Sequence, residues 1–263
     1  AALELLQSYL LMQDDWMDGD LLRRGGPSAH AALAKVHGDV KLGEASAVLA
    51  SDLTWGLAVG CLSGCKAPLP RKIEALDVFL RVHRDVVFGQ QLDLLGRAED
   101  VEAMHTLKTG SYTVKGPLAI GAALAGASAE TRRALDRFAA PVGVAFQLRD
   151  DLLGTFGDTA ATGKPVGNDL LAGKRTAILA ESDARLDRAQ RRAVDAVLGK
   201  KQAPEADVRE ATRALEACGA RAAVEARLEA LISQAEGRAA ALPIAAGARV
   251  LLGGAAAALR TTP

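Results

Sequence analysis

Two short aspartate runs carry the chemistry that this sequence can do. The first is Gln13-Asp14-Asp15-Trp16-Met17-Asp18-Gly19-Asp20, followed by Arg23-Arg24-Gly25-Gly26-Pro27; the second is Phe146-Gln147-Leu148-Arg149-Asp150-Asp151-Leu152-Leu153-Gly154. At about 100° per residue, Leu3, Leu6, Leu10, Asp14 and Asp18 fall in one helical stripe about 120° wide, so the carboxylates are expected to continue an inward-facing apolar stripe. Two like charges about 4 Å apart repel by roughly 4 kcal/mol at an effective dielectric of about 20, and divalent cations are the natural compensation. Oxygen ligands with no His or Cys beside them suit Mg²⁺, which keeps waters and bridges carboxylates to substrate phosphates. In the second run Gly143, Gln147, Asp150 and Gly154 share a face. One Asp-Asp pair alone reads as a helix end favouring the N-terminal dipole. Two pairs, each within apolar helix and each followed by a basic loop, read as metal and phosphate sites.

The basic groups fall into three clusters: Arg23-Arg24, Lys108-Thr109, and the segment from Lys164 to Lys174-Arg175-Thr176. Arginine forks and lysine point charges both suit phosphate oxygens. A nucleotide-binding P-loop is rejected for the last segment. Gly157 to Gly163-Lys164 and Gly167 to Gly173-Lys174 each hold one residue too many, neither lysine precedes Ser or Thr, and neither loop follows a strand pattern.

The elements that must position these groups are helices. Breaks at Gly25-Gly26-Pro27, Ala67-Pro68-Leu69-Pro70, Lys115-Gly116-Pro117, Gly163-Lys164-Pro165 and Gln202-Ala203-Pro204 divide the 263 residues into about seven to ten of them. The chain is 49% hydrophobic but only 3% aromatic, and it lacks the Val/Ile/Thr alternation of strands, so the class is all-α with one large domain over residues 1–263. Lys plus Arg and Asp plus Glu balance at 32 each, which excludes a global attraction to nucleic acid or an anionic membrane. Cys61, Cys65 and Cys218 form no disulfide framework and favour a reducing, cytoplasmic setting; Cys61 and Cys65 read as small buried residues. The longest apolar runs are interrupted by charge or glycine, so no membrane span is expected. Residues 1–12 read as the middle of a helix, which predicts a chain truncated upstream.

Five motifs in order, over the first residues to about Thr176, resemble the trans-isoprenyl diphosphate synthases, the family of farnesyl and geranylgeranyl diphosphate synthases. Asp14-Asp15-Trp16-Met17-Asp18 resembles the first DDxxD, Arg23-Arg24-Gly25-Gly26-Pro27 the RRGxP, Gly89-Gln90-Gln91-Leu92-Asp93 the GQxxD, Lys108-Thr109 the KT pair, and Gln147 to Asp151 the FQxxDD segment. The resemblance implies a helical bundle around a central cavity, here without its N-terminal helices, acting as a homodimer.

By position it also implies roles. Asp14 and Asp18 bind Mg²⁺ with Asp15 in support, and Asp150, beside Asp151, binds the last of three ions. Arg23, Lys108 and Lys164 hold the allylic diphosphate, with Lys174 closing over it. Thr109 and Gln147 sit near the reacting carbons, and Arg24 contacts isopentenyl diphosphate. The implied reaction is metal-assisted departure of diphosphate, attack by the isopentenyl double bond on the allylic cation, and proton loss to the departing diphosphate. Tyr9, five residues before Asp14, would block a long tunnel, and with Ser8 and Leu10 beside it resembles synthases of C20 products, with C15 the neighbouring outcome.

The sequence departs from the family at Gly154, where the second motif ordinarily ends in Asp, and in lacking the upstream GGKxxRP segment that serves isopentenyl diphosphate. Two other readings remain at this point: a class I terpene cyclase, whose usual second motif the Asn168-Asp169 segment does not match, and a regulatory subunit of a heteromeric synthase.

Overall fold

Helix ends lie where the sequence supplies an oxygen side chain or a glycine. Asp39 accepts from the backbone of Leu42 at 2.8 Å and Ser128 from that of Thr131 at 3.1 Å, each satisfying an orphan N–H of a first turn. Asp187 and Gln190 form a reciprocal capping box. Gly19, Gly38 and Gly173 adopt positive φ just past helix ends, as left-handed C-caps require.

The computed structural model describes residues 1–95, 106–157, 166–200 and 202–260. Its elements are α1 (Ala2–Asp18), β1 (Leu22–Arg23), β2 (Gly26–Pro27), α2 (Ala29–His37), α3 (Val40–Ser63), α4 (Leu69–Leu95), a π-helical segment (Thr106–Lys115), α5 (Gly116–Ala125), α6 (Ala129–Phe156), α7 (Asn168–Leu171), α8 (Ala177–Ser182), α9 (Arg188–Asp195), α10 (Glu205–Ala217), α11 (Ala220–Ala240), α12 (Ala246–Ala257) and a 3₁₀ turn (Ala258–Arg260). The all-α expectation holds, since the sole sheet among the described residues is the two-residue pair β1–β2. The helices outnumber the seven to ten expected because the last third breaks into short pieces at Leu171, Ser182 and Asp195.

The chain forms two compact units. The first comprises residues 1–80 and 123–126, the second residues 81–122 and 127–263. In the first, α1 and α2 pack on α3 around Leu6, Tyr9, Ala47, Ala58, Leu62 and Phe79. Gly43 makes the α2–α3 approach: a Cβ there would lie 2.3 Å from the Ala34 nitrogen and 2.4 Å from its Cα. The core of the second unit runs along α6, α10 and α11 and includes Phe138, Ala145, Leu148, Leu215, Val224 and Ile232. Pro141, buried inside α6, cannot donate to the carbonyl four residues earlier, and the Arg238 guanidinium from α11 bonds that Arg137 carbonyl instead.

One reading of the sequence is corrected in α3, and another is qualified. By length and composition this helix could cross a membrane, with mean hydropathy 1.4 over an 18-residue window, which is weak evidence for a span. Asp52, exposed in its midst, is costly in hydrocarbon, and the opposite face is packed on α1 and α2. Cys61, expected to be buried, is exposed on the same helix.

Gly43→Ala is expected to lower stability by roughly 2–4 kcal/mol, because the added methyl meets backbone that cannot rotate away. Gly56→Ala, in the same helix with nothing within 4 Å of the added carbon, is expected to raise it by roughly 0.5–1 kcal/mol. Denaturant melts of the two variants check the opposite signs.

Candidate active site

The last turn of α1 presents its carboxylates against the helix dipole, an unfavourable place for acid, and the chain folds back to compensate. Gly19 (φ 71) donates to the Trp16 carbonyl and Asp20 to the Asp15 carbonyl at 2.8 Å, a Schellman ending that reverses the backbone. A two-residue hairpin follows. Arg24 and Gly25 have φ of 52 and 78, Arg23 pairs with Gly26, and two successive positive φ values define the tight turn that matches strand twist. Arg24 adopts this left-handed conformation without glycine's freedom, at a cost of roughly 1–2 kcal/mol, and its side chain is exposed.

This turn brings Arg23 onto the carboxylates. Its Nε donates to Asp15 Oδ1 at 2.8 Å, its Nη2 bonds the same oxygen, and Nη2 lies 3.7 Å from Asp14 Oδ2. Asp15 is 3% exposed, Asp14 half-buried and Asp18 exposed. The helical projection put Asp14 and Asp18 on the buried stripe, and the structure differs. Asp15 is the buried member, because Arg23 meets it there, and Asp18 faces solvent at the helix terminus.

The second aspartate run repeats the division of labour in the second unit. Asp150 is exposed, while Asp151 is 2% exposed with both oxygens engaged. Gln147 Nε2 donates to Oδ1 at 2.8 Å, and the backbone N–H of Ala177 donates to Oδ2 at 2.7 Å. Asp151 thus ties the start of α8 to α6, beside Thr176, which caps α8 with its own hydroxyl. Gln147, expected near reacting carbons, directs its amide to Asp151. Burial pushes the Asp151 carboxyl up to about 7 from an ordinary 3.8, against the two hydrogen bonds, with Asp169 and Asp150 adding repulsion.

The remaining expectations divide by position. The side chains of Lys108 and Thr109, and all of Lys164, lie outside the described residues. Lys174 is described, with Nζ 3.7 Å from Asp169 Oδ1. Tyr9 is 7% exposed, its ring 5.7 Å from that of Trp55, which in turn stacks on Phe79 at 5.3 Å and 9°. Two further groups were not picked out as site residues from the sequence. Gln90 Nε2, in the Gly89–Asp93 segment, is shielded from solvent with no hydrogen-bond partner among the described residues, and such a donor suits a polar ligand. Asp169 lies against Gly154, and the missing carboxylate at residue 154 was the only signal for it in the sequence.

The donors at each aspartate run, taken separately, fit Mg²⁺. Asp14, Asp18 and Asp150 are carboxylates open to solvent on at least one side, Asp14 Oδ1 is shielded from it, and no three Asp, Glu, His or Cys side chains gather among the described residues. Mg²⁺ is ordinarily held by one or two carboxylates, with waters and substrate phosphates completing the shell, so a closed protein cage is not required.

Comparison with known proteins identifies the family. Residues 1–215 match the polyprenyl synthetase family model. The short chain isoprenyl diphosphate synthase of Methanocaldococcus jannaschii is 33% identical over 220 residues, which cover 82% of this chain and 64% of that protein. The geranylgeranyl diphosphate synthase of Methanosarcina mazei is 32% identical over 228 residues, covering 83% and 64%. The chain therefore spans less than two thirds of the length of these two relatives. Among solved structures, the geranylgeranyl pyrophosphate synthase of Corynebacterium glutamicum, complexed with isoprenyl diphosphate and magnesium, matches with a TM-score of 0.91 at 33% identity, over 99% of this chain and 77% of that one.

The Asp151 environment predicts a pH dependence. A carboxyl raised in the folded state holds a proton there that the unfolded chain has lost, between pH 3.8 and about 7. Stability of the metal-free chain from this group is therefore greatest at low pH, falls as pH rises through that window, and is level above it. Asp151→Asn is expected to remove that slope, so its melting temperature should fall below that of the unmutated chain at pH 5 and approach or exceed it at pH 8. Thermal melts across pH check the crossing.

Proposed function

The chain belongs to the polyprenyl synthetase family, and from that premise we propose that it is a prenyltransferase condensing isopentenyl diphosphate with an allylic diphosphate to give a C20, or alternatively C15, all-trans prenyl diphosphate. The observation that carries this reading is that the half-buried Asp14 and the exposed Asp150 each stand beside a buried aspartate held by hydrogen bonds. A braced neighbour fixes the helix face without itself facing the ligand. Asp14, Asp18 and Asp150 would hold three Mg²⁺ ions, which when bound neutralise diphosphate charge and stabilise it as a leaving group.

The protein's own groups do the rest. Arg23, held by Asp15, presents a fixed guanidinium beside Asp14 for phosphate oxygens. Lys108, Lys164 and Lys174 supply further positive charge for the diphosphate, Thr109 and Gln147 border the reacting carbons, and Arg24 takes the isopentenyl diphosphate. Apolar walls keep water from the allylic cation. Tyr9, backed by Trp55 and Phe79, is a rigid floor that limits the growing chain, since two rings would have to move to deepen it. The chain is read as one polyprenyl synthetase domain that pairs as a homodimer through α3, whose Leu42, Leu49, Leu53 and Leu57 are 50–69% exposed, an unusual density of uncovered leucine for one helix. Its unpaired cysteines suit the cytoplasm.

The full-length protein, given Mg²⁺, isopentenyl diphosphate and an allylic starter, is expected to release a longer prenyl diphosphate, and Asp14→Ala to slow it by about 100-fold or more. Hydrocarbon from the allylic diphosphate alone would identify a cyclase instead, and no product from the unmutated protein would favour a regulatory subunit. Chain-length analysis of Tyr9→Ala products is expected to show extension beyond the parent length; an unchanged distribution removes Tyr9 from the floor.

A further inference from the structure

Gln13 opens the first aspartate run, and the metal and phosphate chemistry proposed above leaves it without a role. Its amide reaches across to α3, where Nε2 donates to Ser51 Oγ at 3.3 Å. Ser51 is fully buried, and its hydroxyl proton is already given to the Val48 carbonyl at 2.7 Å, so its oxygen meets the amide as an acceptor. Gln13 is half-buried, and its side chain also hydrogen-bonds to the Tyr9 hydroxyl one turn earlier.

These contacts fall in layers along the seam where α1 packs on α3. Gln13 meets Ser51, and one turn below, the Tyr9 ring lies 5.7 Å from that of Trp55. Residue numbers fall along α1 as they rise along α3, so the two helices run antiparallel through these layers. A further turn down, Leu6 and Ala58 are both fully buried. Apolar layers attract without fixing how far one helix slides along the other, because burial is non-directional. A hydrogen-bonded pair within the seam does fix it, since a slip of one turn, about 5.4 Å, would part the Gln13 amide from the Ser51 oxygen.

We propose that Gln13 and Ser51 are positioning residues for product length, whose hydrogen bond sets the register of α1 on α3 and thereby the height of Trp55 against Asp14. Tyr9 is carried by the same helix as Asp14, about 7.5 Å away along its axis, and no slip changes that separation. Trp55 is carried by α3, so its height depends on the register. With Trp55 displaced, Tyr9 loses the ring that backs it, and the floor yields to a longer chain. This inference rests on the reading of Tyr9 as the floor that limits the growing chain.

Product ratios from the full-length protein, given Mg²⁺, isopentenyl diphosphate and an allylic starter, test it, with melting temperatures alongside. Ser51→Ala and Gln13→Leu are each expected to raise the ratio of the next longer product to the parent product about 5-fold, the worth of one hydrogen bond. Ser51→Ala also loses the bond to Val48, and Gln13→Leu the bond to Tyr9, so agreement between them isolates the contact they share. The double variant is expected to match the larger single effect. Effects that multiply in the double variant overturn the shared contact. An unchanged product ratio, with or without a lower melting temperature, overturns the positioning role and leaves a merely structural tie. Tyr9→Ala, measured in parallel, separates the two levels. If it leaves product length unchanged, or if the unmutated protein makes no product, the reading beneath falls and this inference with it. If it lengthens the products while Ser51→Ala and Gln13→Leu do not, the floor stands and the register role falls.

Discussion

An aspartate taken out of water must be met by donors, and much of the local architecture at both aspartate pairs follows from that requirement. Asp15 and Asp151 are each almost wholly buried. The first is answered by a guanidinium that a glycine cap and a tight hairpin return to it, the second by a side-chain amide and the first N–H of a helix. Neither compensation is incidental to folding. The Arg23 contact accounts for the left-handed turn at Arg24-Gly25, and the Asp151 contact fixes where α8 begins relative to α6. In each pair the other carboxylate is less enclosed, half-buried at Asp14 and exposed at Asp150.

Close backbone approach is the second constraint, and glycine placement controls it. Gly43 lets α3 lie against the backbone of α2, and Gly154 lets a carboxylate lie against α6. These contacts leave no room for a β-carbon, so in each case the identity of one residue decides the spacing of two elements. Pro141 shows the converse. Its missing donor would orphan a carbonyl within the second unit, and Arg238 from α11 supplies a replacement, so a local defect becomes a tie between helices.

The aromatic cluster of the first unit is built from rings that brace one another. Tyr9, Trp55 and Phe79 come from three different helices and touch ring to ring, which is a stiffer arrangement than a single projecting side chain. With aromatic residues at only 3% of the chain, gathering three at one place is a concentrated use of scarce bulk. The uncovered leucines Leu42, Leu49, Leu53 and Leu57 lie on the same helix as Trp55.

Much was determined by the sequence alone. Helical class follows from composition and break spacing, because local propensity and capping act over a few residues. The five ordered motifs were legible because metal and phosphate chemistry demands particular side chains at particular spacings. Membership of the family and the identity of Asp14, Asp18 and Asp150 as candidate ligands needed no coordinates. What only the tertiary structure decided is which carboxylate is buried and what answers it. A helical projection places residues around one axis and carries no information on a turn that brings Arg23 back to Asp15, so it assigned burial to Asp14 and Asp18. The same limit hid Asp169, fifteen residues from Gly154 in sequence and in contact with it in space: a β-carbon that is absent at one position has meaning only when the neighbour that fills its place is known.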